Sequence, residues 1–392
     1  WWARRPTPAS RLAVLSSVLP EDVDDDQLLK WMKIDPNNKE KGKSIAEHVR
    51  EKKRTEDDRD GFVYEHYGYK KIWKQELDQD ILDGVHEKAK EAWDGELPTV
   101  LDATAGGGSI PLESVKYGLP TIANELNPVA SVILKSVLDH PRTSKDLSDD
   151  IKKYGEKINK RVRGRLGEYF ETKEGERVLA YLWSHTINCP DCGIKIPLAP
   201  NWWLDKESGS EGLAVKPEVS DGEITFDTVR LPDDVSKSEF DPSKGTVAYG
   251  KATCPNCNVT VDGDEVKEQA RNSKMGEKIY GVYYERKGKT DNKRKLRAPT
   301  DKEKKVYRKA KEKVDSDPNL STFLSQKRYV GPADRSANYG LTEWRDMFNA
   351  RQLLSHYTYL DEFEKMKDEI EREHTKEEAD VIETYLALVA DK

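Results

Sequence analysis

Two groups of residues in this 392-residue chain have the types and spacing to do chemistry. The first is the full set of four cysteines, arranged as two Cys-x-x-Cys pairs, Cys189 with Cys192 and Cys254 with Cys257. Each pair can form a tight knuckle in which two thiolates converge, and two knuckles supply the four soft ligands of a tetrahedral site suited to zinc. The pattern points to metal and away from disulfides. The second group is the Gly-rich stretch Asp102, Ala103, Thr104, Ala105, Gly106, Gly107, Gly108 and Ser109, followed further on by Glu125 and Asn127. Glycines let a backbone approach a ligand closely, and a helix that follows offers unpaired N–H groups. A carboxylate nearby can accept hydrogen bonds from two ribose hydroxyls. A nucleoside-bearing cofactor fits that set.

These residues need elements to hold them. Val100 and Leu101 end a short apolar run, Ile110 to Tyr117 carries a helical pattern, and Gly118 stops it. Thr121 to Ala123 read as a second, buried strand, finishing on Glu125 about 20 residues after the first, which makes a βαβ unit with an acid at its end. The GxGxxG spacing of a pyrophosphate site is absent because Gly106, Gly107 and Gly108 are contiguous, and this disfavours a nicotinamide-dependent oxidoreductase. S-adenosylmethionine carries no phosphate, and needs a loose Gly-rich loop beside its amino-acid end and an acid on its ribose.

The stretch DATAGGGSIPLE followed by NELNPVA resembles the cofactor motifs of amino-methylating DNA methyltransferases, with Ala103 and Thr104 standing where that pattern has Pro and Phe. WWARRP at the start and RQLL at 351–354, together with the cysteine pairs, resemble a group of adenine-specific DNA methylases that carry a zinc ribbon. The likeness spans nearly the whole chain. It implies an α/β fold, a partial Rossmann-like S-adenosylmethionine-dependent methyltransferase core with an inserted zinc-ribbon β module. It also implies methyl transfer to the exocyclic amine of adenine in DNA, in a restriction-modification or phage-defence setting. Arg4, Arg5 and Pro6 match an element that helps to close the methionine end of the cofactor site in related methylases. Such enzymes orient the amine with an Asn/Asp-Pro-Pro-aromatic tetrapeptide, and none occurs here. The family places it after the RQLL helix, so the expectation is that a continuation of the chain or a separate subunit supplies it and that this chain alone is inactive. The rival is a zinc-ribbon nucleic-acid-binding subunit whose cofactor fold is only a scaffold.

Composition is compatible with this. Hydrophobic and charged residues each make up 35% of the chain and the net charge is -7, which argues against a protein that coats nucleic acid but allows a local basic track. No apolar run approaches a membrane span. The start at Trp1, without a signal sequence after it, reads as internal to a longer, cytoplasmic protein. Tyr284 to Lys313 holds fourteen Lys or Arg against five acids, and Lys293, Arg294, Lys295 and Arg297 are candidates for contacting DNA phosphates. The chain divides into a cofactor-binding half at 1–175, a zinc ribbon with a long insertion at 176–285, a basic segment at 286–338 and a helical return to the core at 339–392. Helices are expected after Pro8, over Asp78 to Trp93, over Pro128 to Leu138 with Asn127 as N-cap, over Lys145 to Phe170, after the capping-box pair Thr300 and Glu303, and after Asn349. A strand is expected over Val178 to Asn188, and a solvated charged stretch at 35–60.

Overall fold

The computed structural model describes residues 6–34, 72, 75–142, 146–207, 211–286, 295–331 and 333–390. The expectations for Arg4 and Arg5, for the charged stretch at 35–60, and for Lys293 and Arg294 lie outside these residues. The fold is mixed α/β. Two compact units emerge, one of residues 1–154 with 367–392 and the other of 155–366. Among the described residues no helix is long and apolar enough to cross a membrane.

In the first unit α1 (Thr7–Val18), α2 (Asp25–Trp31) and α3 (Gln79–Ala92) precede strand β1 (Val100–Asp102), helix α4 (Ser109–Lys116) and strand β2 (Thr121–Ala123). β1 and β2 pair in parallel, Val100 opposite Thr121 and Asp102 opposite Ala123, completing the βαβ unit. Pro8 sits in the first turn of α1, where its missing N–H costs nothing. α1 and α3 bury Val14, Leu15, Val18, Ile81 and Val85 with Tyr117 and Leu119 in one core. The second strand is less buried than its sequence suggests. Leu101 and Ile122, paired across the sheet, are 65% and 56% exposed; among the described residues, the helices that pack on this sheet cover its other face. Helix α5 (Pro128–Leu134) follows, continued by a π-helical turn at Lys135–Asp139, and Asn127 caps it by accepting the Val129 and Ala130 N–H groups. The C-terminal helix α11 (Lys376–Ala390) belongs to the same unit.

The second unit is built on a long antiparallel pair. Strand β3 (Glu176–Asn188) runs against β11 (Gly276–Arg286), flanked by β4 (Lys195–Pro197) and β12 (Lys295–Arg297) in the order β12-β11-β3-β4. The segment between the cysteine pairs is a folded meander, β5 (Trp203–Lys206), β6 (Gly212–Ser220) and β7 (Glu223–Leu231). It is followed by β8 (Val247–Ala248), β9 (Lys251–Thr253), β10 (Thr260–Val261) and helix α7 (Gly263–Arg271). Trp202, Val215, Ile224 and Phe226 from this insertion share a core with Cys189, Cys254, Ile187 and Ile196. A second core joins β3 and β11 to the helices: α6 (Ser148–Leu166), α8 (Asp301–Ser316), α9 (Pro318–Thr322) and α10 (Ala350–Glu373). Both expected caps form here, Thr300 with Glu303 as a reciprocal capping box and Asn349 accepting the Gln352 N–H at 3.0 Å.

Candidate functional site

Two hairpins position the four cysteines. β3 and β4 pair Asn188 with Lys195, and β9 and β10 pair Thr253 with Thr260, so each Cys-x-x-Cys occupies a hairpin turn. The two turns use the same backbone device. Cys189 N–H donates to Ile194 O at 2.8 Å and Gly193 N–H to Cys189 O at 3.0 Å; in the second turn Cys254 N–H donates to Val259 O and Asn258 N–H to Cys254 O, both at 2.9 Å. The residue after each second cysteine has positive φ, +74° at Gly193 and +60° at Asn258, which glycine and asparagine tolerate best. The Sγ atoms of Cys189 and Cys257 lie 3.5 Å apart and those of Cys192 and Cys254 3.6 Å apart, with all four within 4.8 Å of one another. A disulfide would need about 2.05 Å. A tetrahedron of thiolates around zinc with bonds of about 2.3 Å has edges of roughly 3.8 Å, so the donor set fits that ion. The Asn256 side chain, and then the Ile194 N–H, hold the Cys192 thiol down to about 6, toward the thiolate that binds metal.

In the first unit the Gly-rich loop and Glu125 come together. One carboxylate oxygen of Glu125 accepts the Gly106 N–H at 2.7 Å, and the other accepts the N–H groups of Leu126 and Asn127 at 2.9 and 3.0 Å. These donors, Asn127 first, lower its pKa and keep it ionised. Three of a carboxylate's roughly four lone-pair positions are thereby taken, leaving one for a ligand hydroxyl. Further bonds tie the two strand ends together: Asn124 N–H donates to Asp102 O at 2.9 Å, Ala105 N–H to Asn124 O at 3.0 Å, and the Asn124 amide to Ala103 O at 3.1 Å. Thr104 N–H turns back to the Asp102 carboxylate at 3.2 Å. Gly106 and Gly108 have φ of +54° and +81°, and Gly108 is the left-handed N-cap of α4. Ser109 opens the helix, and Ala103, Thr104 and Gly107 are exposed on the loop. A cleft of about 800 Å³ opens beside Glu125, walled by Val115, Leu119, Leu134, Leu138 and Arg142. Its volume is in the range of small-molecule sites.

The basic segment is arranged differently from the expectation. Lys295 is exposed on β12, but Arg297 turns inward to Glu176 and Glu303 at 2.7 and 2.8 Å, stacked over the Tyr284 ring at 5.2 Å. Burial opposes the charge on Glu303, yet Arg297, Thr172 and the Thr300 N–H bring its pKa down to about 2. Two unpaired buried carboxylates would be far costlier than one missing phosphate contact, so Arg297 is committed to the fold.

Sequence reasoning missed three buried charges. Arg11, fully buried on α1, bonds Glu113 at 2.7 Å and the Met32 carbonyl at 3.1 Å; Glu113 is the acid that ends the GGGSIPLE run. The clue was present: Arg11 shares the apolar stripe of Val14, Leu15 and Val18 at helical spacing. Arg351 of RQLL lies within a cage of Tyr181, Phe170 and Tyr307, with ring centroids 4.5, 5.3 and 5.5 Å away, and donates to the Glu303 carbonyl at 3.2 Å. Its role is to fasten α10 to β3 and α8. In comparisons with known proteins, no family model, no curated protein and no solved structure matches the chain.

Proposed function

We propose that the chain is the cofactor-binding part of an S-adenosylmethionine-dependent methyltransferase acting on the exocyclic amine of adenine in DNA, with an inserted zinc ribbon. The observation that carries this reading is the 2.7 Å bond from the Gly106 N–H to the Glu125 carboxylate, which joins the loop after β1 and the acid after β2 in one site. Glu125 has a lone pair left for a ribose hydroxyl and lines a cleft large enough for a nucleoside, which Gly106 to Gly108 themselves do not line, and these glycines leave room for the backbone to meet a ligand. S-adenosylmethionine would supply the electrophilic methyl group. Glu125 and the loop bind and orient it, Asp102 turns the start of the loop by accepting the Thr104 N–H, and Asn127 caps helix α5 directly after Glu125 by accepting the Val129 N–H. Zinc fits the four thiolates as a structural ion, since four protein ligands leave no open coordination position. The amine-orienting tetrapeptide belongs to a continuation of the chain or to a separate subunit. DNA is the implied partner and substrate.

The second reading, a zinc-ribbon nucleic-acid-binding subunit with a silent cofactor fold, draws support from Glu125 being largely satisfied by backbone N–H groups without any ligand. Isothermal calorimetry with S-adenosylmethionine separates the two. The methyltransferase reading requires binding by the wild-type chain and a fall in affinity of about one to two orders of magnitude for Glu125→Ala, the cost of losing a charged hydrogen bond and the loop that it orders. Absence of any heat from the wild-type chain, with normal zinc content, favours the scaffold reading. A thermal-shift comparison of S-adenosylmethionine with a nicotinamide dinucleotide excludes or restores the oxidoreductase alternative.

A further inference from the structure

A second cavity, of about 400 Å³, lies in the other unit between the first cysteine knuckle, the β6–β7 turn, β11 and α8. Its walls carry Lys195, Lys278, Lys304 and Arg308 against Glu223 and Glu277. Among the described residues, Lys195, Lys278 and Arg308 have no carboxylate within ion-pair distance. Lys304 is engaged only with the exposed Asp301 at 2.9 Å, one turn away, a pair that is worth little. Lys278 is the informative one. Its side chain is half-buried, with the ammonium 6.0 Å from the Phe226 ring, and burial lowers its pKa. Glu223 in the same wall attracts the ammonium from beyond ion-pair distance and offsets only part of the cost of burial, so a ligand anion can remove the rest. The cations also extend beyond the cavity: Lys304, Arg308 and Lys311 recur at helical spacing on one side of α8, a stripe of roughly 10 Å. A single phosphate cannot span such a stripe, whereas successive phosphates of a polynucleotide can.

We propose that this groove binds the phosphodiester backbone of a nucleic acid, with Lys195, Lys278 and Arg308 as the contacting residues. Of the candidates named from the sequence, Arg297 is used internally, Lys295 is exposed on β12, and Lys293 and Arg294 lie outside the described residues; the groove adds a separate set of cations on α8 and beside the knuckle. The inference does not rest on the cofactor reading, since the groove lies wholly within 155–366 and needs no S-adenosylmethionine.

The test is fluorescence anisotropy with the full zinc-loaded chain and a short labelled DNA duplex, over a range of salt and without cofactor. Substituting Lys195→Gln, Lys278→Gln and Arg308→Gln together should weaken binding at least about tenfold at low salt. It should also make the slope of log affinity against log salt shallower by about three. Lys195→Gln with Arg308→Gln, both on the surface, should lower the slope by about two and guards against misfolding of the triple variant. Lys305→Gln, exposed on α8 outside the groove, should leave both the affinity and the slope at the wild-type values. An unchanged slope in both groove variants overturns the proposal. So does a result in which millimolar inorganic phosphate binds wild type but not the variants while duplex binding is unaffected, because the groove then serves a lone phosphate.

Discussion

At the scale of single residues, the charges that look most available for chemistry are often the ones most committed to the fold. Arg297 and Arg351 stand in the most basic segment and in the RQLL motif, yet one is shared between Glu176 and Glu303 and the other is enclosed by three aromatic rings. Glu277 is the opposite case, a carboxylate on β11 with no ion-pair partner among the described residues. Burial pushes its pKa up from 4.5 to about 7, against a small opposing effect of Lys311. The sign follows from proton binding: folded Glu277 holds its proton more tightly than the unfolded chain does. Its contribution to stability is therefore full below pH 4.5, declines as pH rises, and is gone once pH passes about 7. Glu277→Gln, which stays neutral, should remove this dependence and stabilise the protein at pH 8 by on the order of 2 kcal/mol. Urea denaturation of both forms between pH 5 and 8 checks it. Parallel curves for the two proteins would mean that Glu277 is as well solvated folded as unfolded.

At the scale of elements, the sequence was most readable where local chemistry decides the structure. The βαβ unit, the Asn127 and Asn349 caps, the Thr300 capping box and the convergence of four thiols are set by residues close together, and they form as the sequence indicated. What escaped depends on distant partners. Arg11 meets Glu113 across about 100 residues, Arg297 is claimed by Glu176, and β11 is defined by its pairing with β3 and not by any alternation of its own. The insertion between the knuckles, for which the sequence indicated no strands, folds as β5, β6 and β7, because Trp202, Val215, Ile224 and Phe226 find the cysteine-centred core to pack on. That shared core makes the metal a condition for more than two turns. Purified chain should contain about one zinc, and chelation should remove the bonds that join the two knuckles at the centre, flattening the near-UV circular dichroism from Trp202 and its neighbours Phe226 and Tyr280. Cys254→Ser, at a fully buried ligand, should behave in the same way. Zinc-free protein with reduced thiols and an unaltered near-UV spectrum would show that packing alone holds the knuckles.

At the scale of the whole molecule, the question is whether binding and chemistry reside in the same polypeptide. Parallel sheets are ordinarily covered on both faces, yet the described β1–β2 sheet turns Leu101 and Ile122 to solvent, and Leu126 beside Glu125 is 95% exposed. The proposed cofactor residues are complete on this chain, whereas the sequence contains no Asn/Asp-Pro-Pro-aromatic group to accept the protons of an amine. Positioning the amine against the methyl donor is most of what such an enzyme can contribute, and bound base without an orienting group lacks it. The expectation is therefore a chain that binds S-adenosylmethionine and DNA separately but transfers no methyl group between them. Supplying the segment that carries the tetrapeptide, fused to the chain or as a second subunit, should restore transfer and shield the apolar face of the sheet. The measurement is incorporation of radiolabelled methyl groups into unmethylated genomic DNA, by the isolated chain and by the completed one. Activity confined to the completed form supports the division of labour. Turnover by the isolated chain would locate the chemistry in residues among these 392 and reject the view that they serve binding alone.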